Sequence, residues 1–276
     1  MSFTPFVTLK NSDVKSIYST ARWALGTRGQ TADGRVFRFA LNGGTALAIG
    51  KPVTGPALYV LDKDTEYNTP VNDTEDIGTT WKSFTVETES ATGEIAANEY
   101  AQGFARVAVS TASNAAGQIF VIKSNDASAT SSTDSLGSTM TITISDDDQI
   151  AAALDTGAII TLHHNPYYGV VVSAGGASGT ARAIVGIPAC TVTASYYFWV
   201  QTWGPCTALQ DGVVIEGYKG VVSSGSDAGL QTVSKGNATN STDAQWVTAA
   251  RPGIGYWLGS PGTDNGYGLF FLTVAP

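Results

Sequence analysis

The feature that most limits how this chain can fold is a recurrence of short apolar, β-branched or aromatic runs parted by Gly, Ser, Asn and Asp. Such runs fall at 84–86, 105–109, 119–122, 140–144, 158–162, 170–172, 183–187, 192–200, 213–215, 220–222, 246–247 and 269–274. Each has the length of a strand, and turn residues stop it before a helix of three turns could form. Many short strands between turns predict a mainly β chain. The expected fold is an antiparallel β-sandwich or barrel-like domain with an extended N-terminal segment and little helix.

The first residues read differently. Ser12 stands where a helix cap would, with Val14, Ile17, Tyr18, Ala21 and Leu25 at helical spacing before Gly26, so a short helix is expected there. Residues 35–39 then alternate as a strand. Residues 62–77 turn acidic and 124–138 are rich in Ser, Thr and Asp; both read as solvated loops. We divide the chain into an N-terminal arm with a small β region over 1–100 and a main β domain over 101–276. No fixed-period repeat appears.

The run after Cys190 is the longest. Read as one strand, it puts Cys190, Val192, Ala194, Tyr196, Phe198 and Val200 on one face, which is apolar throughout and belongs in a core. The other face carries Tyr197, Trp199 and Trp203 after a polar start. A strand apolar on both faces must be covered on both, by its own fold or by another chain; we favour its own fold. If 191–203 is extended, Cys190 and Cys206 lie far beyond the ~7 Å between Cα atoms that a disulfide spans. Both are therefore read as free thiols unless a turn falls near Ala194-Ser195.

Hydrophobic residues make up 43% of the 276, enough for a core, whereas charged residues are only 14%, against about 25% in an average soluble domain. Solubility leans on Ser, Thr, Asn and Gly instead. The formal charge is −8. Arg22, Arg28, Arg35 and Arg38 are the nearest approach to a basic cluster, and we read them as pairing with carboxylates or with a partner's acidic face, so direct nucleic-acid binding is not expected. No apolar run approaches the ~18 residues of a membrane span, and residues 1–7 do not read as a secretory leader.

Motifs for chemistry are sparse. His163 and His164 are adjacent on a strand and point to opposite faces, so they do not converge on one metal or substrate. Two Cys and two His do not give zinc-finger spacing. No phosphate-cradling Gly loop, dinucleotide fingerprint or nucleophile elbow is present. Asp146-Asp147-Asp148 could contribute oxygens to a hard cation, but before Gln149-Ile150-Ala151 it reads better as a helix cap. We expect no cofactor and no catalysis.

Two segments resemble known proteins. Gly34-Arg35-Val36-Phe37-Arg38-Phe39-Ala40, continuing through Ala46-Leu47 to Gly50-Lys51, resembles the N-terminal part of virion structural proteins of tailed bacteriophages. The stretch from Tyr197 to Cys206 resembles a Trp-Val-Gln-Thr-Trp-Gly-Pro signature in the same group, followed there too by Gly-punctuated short strands. The resemblance implies a head-decoration (cement) protein on the capsid exterior, bound to the major capsid protein and self-associated as a trimer or dimer. On that expectation Phe3, Phe6, Tyr18, Trp23, Arg35 and Arg38 dock on the shell, and Tyr197, Trp199 and Trp203 are further partner-binding candidates. A second expectation is a receptor- or glycan-binding virion module using exposed aromatics such as Tyr256-Trp257. A third, a hydrolase of surface polymer, calls for a cleft with paired acids.

Overall fold

Local alternation is realised in a series of short strands. A computed structural model describes residues 6–56, 69–70, 78–87, 95–110, 115–127, 139–155, 158–173, 183–223, 229–232, 253–260, 262 and 264–276. Its strands are β1 (Val7–Leu9), β2 (Ile17–Tyr18), β3 (Arg28–Thr31), β4 (Val36–Leu41), β5 (Val53–Thr54), β6 (Thr69–Pro70), β7 (Ser83–Glu87), β8 (Phe104–Val109) and β9 (Ile119–Asn125). They continue as β10 (Thr139–Ile144), β11 (Ile159–His163), β12 (Val171–Val172), β13 (Ile184–Pro188), β14 (Tyr197–Leu209), β15 (Lys219–Val222), β16 (Leu230–Thr232), β17 (Gly255–Gly259) and β18 (Tyr267–Thr273). The protein is mainly β, with antiparallel pairing almost throughout. Among the described residues no helix is long and apolar enough to cross a membrane.

The chain forms two compact units, one nested in the sequence of the other: residues 1–56 with 166–276, and residues 57–165. The division expected near residue 100 falls inside the second unit, where Tyr100 is a core residue. Most of the expected strands are present. Residues 246–247, and most of the loops expected over 62–77 and 124–138, lie outside the described residues. Ser124 and Asn125 belong to β9 rather than to a loop.

In the first unit a twelve-stranded sheet runs β1-β3-β4-β14-β18-β17-β15-β16, with β2, β5, β12 and β13 off this path. The N-terminal segment is extended and sheet-paired from Val7, where β1 runs parallel to β3. The helix expected after Ser12 is absent. A single 3₁₀ turn at Asp13–Lys15 ends at Ser16, which is extended at φ −87°, ψ 141°. Ile17 and Tyr18 then pair with Phe198 and Tyr197. Sheet pairing and burial of β-branched side chains outweigh a weak helical pattern without a side-chain cap.

β14 organises this unit. It begins at Tyr197 rather than near 191, because Ser195 turns at φ 61°, and it continues past Gly204-Pro205 to Leu209. Its first half is buried on both faces by the unit itself. Phe198 and Val200 join a core with Leu47, Val53 and Val192, while Trp199 packs with Leu9, Val14, Phe37 and Phe39. Covering by its own fold is thus what occurs. Cys206 and Ala208 in its second half join Trp257, Phe270 and Leu272. The strand expected at 213–215 is an irregular connection held between Gly212 and Gly217, both at positive φ.

The second unit is a six-stranded antiparallel sheet, β6-β11-β8-β9-β10-β7, whose terminal strands β6 and β7 lie next to each other. Its inner face is apolar, with Phe84, Val86, Phe120, Ile122, Met140 and Ile142 all buried. Asp146-Asp147-Asp148 caps no helix: residues 149–155 are irregular. Its carboxylates serve β9 instead. Asp146 pairs with Lys123 at 2.8 Å, and Asp148 accepts from Val121 N–H at 2.8 Å.

Candidate interaction surface

The Trp-Val-Gln-Thr-Trp-Gly-Pro stretch is chiefly a device for bending β14. Gln201 is buried, and its Nε2 donates towards three carbonyls: Trp203 at 3.1 Å, Gly204 at 3.2 Å and Pro205 at 2.8 Å. Thr202 Oγ1 donates to Ala275 O at 2.7 Å, fastening the C-terminal end of the chain to the same bend. Gly204 adopts φ +92°, where a Cβ would meet Arg35 Cγ at 3.1 Å. The register against β4 slips by a residue between Gln201 and Trp203. Pro205 is tolerated because Leu209 N–H bonds Gly50 O whereas Gln210 N–H bonds Gly266 O, so odd-numbered residues of this half direct their N–H away from β18. The ladder with β18 loses no donor there.

Beyond the bend, the unit presents an uncovered apolar face. Pro205 of β14 stands opposite Phe271 of β18, and Phe271 opposite Tyr256 of β17. The Phe271 and Tyr256 rings stack at 5.1 Å and 10°, and Trp203 meets Phe271 edge-on at 5.7 Å. Tyr256, Leu258, Tyr267 and Leu269 are 39–50% exposed. Val213, Ile215 and Tyr218 of the neighbouring connection are also exposed. Isolated exposed apolar side chains need no explanation, but a run across three adjacent strands marks an interaction site. Sequence reading missed Phe271 and Leu269. The signal was present: Tyr267, Leu269 and Phe271 alternate with Gly268, Phe270 and Leu272, so β18 is apolar on both faces.

The residues expected to bind partners are distributed unevenly. Phe3 lies outside the described residues. Phe6 is capped by the Arg28 guanidinium 5.3 Å from its ring. Tyr18 and Trp23 are half-buried in an aromatic layer with Phe39, Tyr197 and Trp199, Trp23 lying 5.1 Å from Trp199. Arg22 sits over Tyr18 at 4.5 Å. Arg38 is partly buried and donates from Nη1 to Gly26 O at 3.2 Å. Arg35 pairs with Asp33 at 2.9 Å and donates to Asn11 Oδ1 at 2.6 Å. Trp199 has no exposed surface, so it cannot touch a partner; it is a core residue. Tyr197 and Trp203 are half-buried. Of the Tyr256-Trp257 pair, only Tyr256 reaches solvent, Trp257 being fully buried.

His163 ends β11, and His164 lies just beyond the strand. His163 is partly buried. His164 is buried and stacks on Tyr100 at 4.4 Å, with Nε2 3.4 Å from Glu99 Oε1. That contact with His164 is the largest influence lowering the Glu99 pKa, partial burial opposing it. Among the described residues no group of three His, Cys, Asp or Glu is placed to hold a metal ion.

Cys190 and Cys206 are both free. Burial raises both thiols, Cys206 to about 12, with Lys15 opposing at Cys190 and Arg35 at Cys206. Thiolate is the reactive form, so in folded protein at neutral pH a disulfide reagent should label buried Cys206 far more slowly than in denaturant. Labelling of Cys206 at the denatured rate in native protein would contradict this burial.

No family model, curated protein or solved structure matches the chain.

Proposed function

We propose that the protein is a head-decoration (cement) protein of a tailed bacteriophage that binds the major capsid protein and stabilises the shell without catalysing a reaction. The observation that carries the reading is the apolar face spanning β14, β18 and β17, solvent-exposed in a protein poor in charge. The resemblance of residues 34–51 and 197–206 to virion structural proteins adds the setting. Mechanically, such a protein adds buried area between neighbouring subunits, and repetition over a symmetric lattice multiplies each contact. Specific interfaces bury ~1,200–2,000 Å² in total, and the exposed aromatic and aliphatic side chains would form the centre of one. Self-association as a trimer or dimer belongs to the same reading.

The test is co-sedimentation with purified capsids lacking the protein, alongside its copy number in virions. Wild type should saturate capsids and occur in many copies per particle. Leu269→Lys places a charge at the centre of the face without touching the core, so binding should fall by at least about tenfold while the unfolding midpoint stays unchanged. Unaltered binding would remove the face from the interface, and absence from virions would defeat the reading.

Tyr256, stacked on Phe271 yet 39% exposed, supports a second reading as a glycan- or receptor-binding virion module. A handful of copies per particle, and binding to host cells rather than capsids, would favour it.

A further inference from the structure

A cleft of about 430 Å³ opens in the first unit beside the apolar face, where the layer carried by the 3₁₀ turn stops. Its apolar wall includes Ile49, Ile187, Pro205 and Leu269, the last two shared with the face. Among the described residues its charged lining residues are Lys15 and Arg35, with no carboxylate. Asp33 already matches the charge of Arg35, so the positive charge this net acidic chain leaves to the cleft is that of Lys15. Arg35 is held in place by Asp33 and Asn11, whereas Lys15 is exposed.

The backbone adds a third element. The bonds Leu209 N–H to Gly50 O and Gln210 N–H to Gly266 O set the phase of β14. Direction alternates along an antiparallel ladder, so exposed Thr207 shares the orientation of Leu209. It directs its N–H and C=O away from β18, on the strand edge beside the cleft it lines. The neighbouring odd position, Pro205, has no N–H, and its carbonyl already accepts from Gln201. One backbone donor–acceptor pair, an apolar wall, the exposed Lys15 cation and the Asp33-paired guanidinium of Arg35 therefore stand together.

We propose that this cleft captures an extended acidic segment of a partner polypeptide. One residue of the segment pairs with the Thr207 backbone as an added strand, an aliphatic neighbour packs on Ile49 and Leu269, and a carboxylate faces Lys15 and Arg35. The volume lies within the ~300–1,000 Å³ of ligand pockets and suits a few residues. The inference deepens the protein-binding reading by naming the chemistry recognised, yet its test needs no virus particle.

The probes are two end-blocked synthetic pentapeptides, Asp-Val-Thr-Val-Asp and Lys-Val-Thr-Val-Lys, titrated into the ¹⁵N-labelled full-length protein. The acidic peptide should shift the amides of Thr207, Leu269 and Ile49, and its affinity should fall with salt; the basic one should leave them unmoved. Lys15→Glu, at an exposed position, should weaken the acidic peptide by about tenfold with no change in the rest of the spectrum. Thr207→Pro should abolish binding by deleting the pairing donor; should that variant fail to fold, Lys15→Glu still decides. Equal response to both peptides, shifts elsewhere, or no shift at millimolar peptide overturns the inference. Acidic-peptide binding by a protein that fails to bind capsids would leave the cleft assignment standing and defeat only the decoration reading.

Discussion

Trp199→Ala should destabilise the first unit by about 3–5 kcal/mol, the range for emptying the site of a fully buried large aromatic. Trp199 has no exposed surface, lies 5.1 Å from both Trp23 and Phe39 ring to ring, and packs so closely that a Cβ on Gly29 would stand 2.9 Å from its Cζ3. The surrounding rings are held by strands paired on either side, so the site has little freedom to collapse. Folded domains hold only about 5–15 kcal/mol in all; the variant should therefore be near the edge of folding at 37 °C. Urea denaturation followed by circular dichroism measures the loss. Trp199→Phe should recover a substantial part of it, and a loss under about 1 kcal/mol, ordinary for any substitution, would mean that Trp199 does not hold the aromatic layer together.

Gln201→Leu should cost about 2–4 kcal/mol although it preserves size and increases apolarity. The side-chain amide is buried and serves three carbonyls at the bend of β14. A buried acceptor left without its donor costs about 1–3 kcal/mol, and not every orphaned carbonyl there can turn to solvent. Gln201→Glu discriminates between shape and hydrogen bonding. It is isosteric, but it puts carboxylate oxygens against carbonyl oxygens, so it should be at least as destabilising as Leu at neutral pH and should recover as the acid is protonated. Equal stability of Gln, Glu and Leu variants in denaturant titrations would show that the bend is held by backbone pairing alone.

These two neighbours also show what was legible before folding. That 197–200 must be buried on both faces followed from Tyr197-Phe198-Trp199-Val200 alone, since no polar residue interrupts the alternation. The strand's true limits did not follow. Ser195 supplies the initiating turn without a Gly, and Gly204-Pro205 reads as a stop, although in the sheet Pro205 occupies a position whose N–H the ladder never uses. Trp199 and Trp203 look equivalent in sequence, yet one is core and the other surface, because N-terminal aromatics roof only one end of β14. The helix expected after Ser12 gave way to pairing with a strand contributed by the far end of the chain, which no local window contains. The cleft was illegible for the same reason: Lys15, Arg35, Ile49, Ile187 and Leu269 lie far apart in the sequence and come together only around β14.

The nesting of one unit within the sequence of the other has a consequence for synthesis. β4 places Phe37 and Phe39 in the core only when β14 arrives, and β14 is made after the whole of 57–165. Pairings so distant along the chain fold slowly, and nascent domains generally fold as units in the order they emerge. The inserted unit can therefore be complete while Val36–Leu41, paired with β3 on one side, still waits with its other edge open, and misfolding during synthesis is expected to start at the first unit's opening strands.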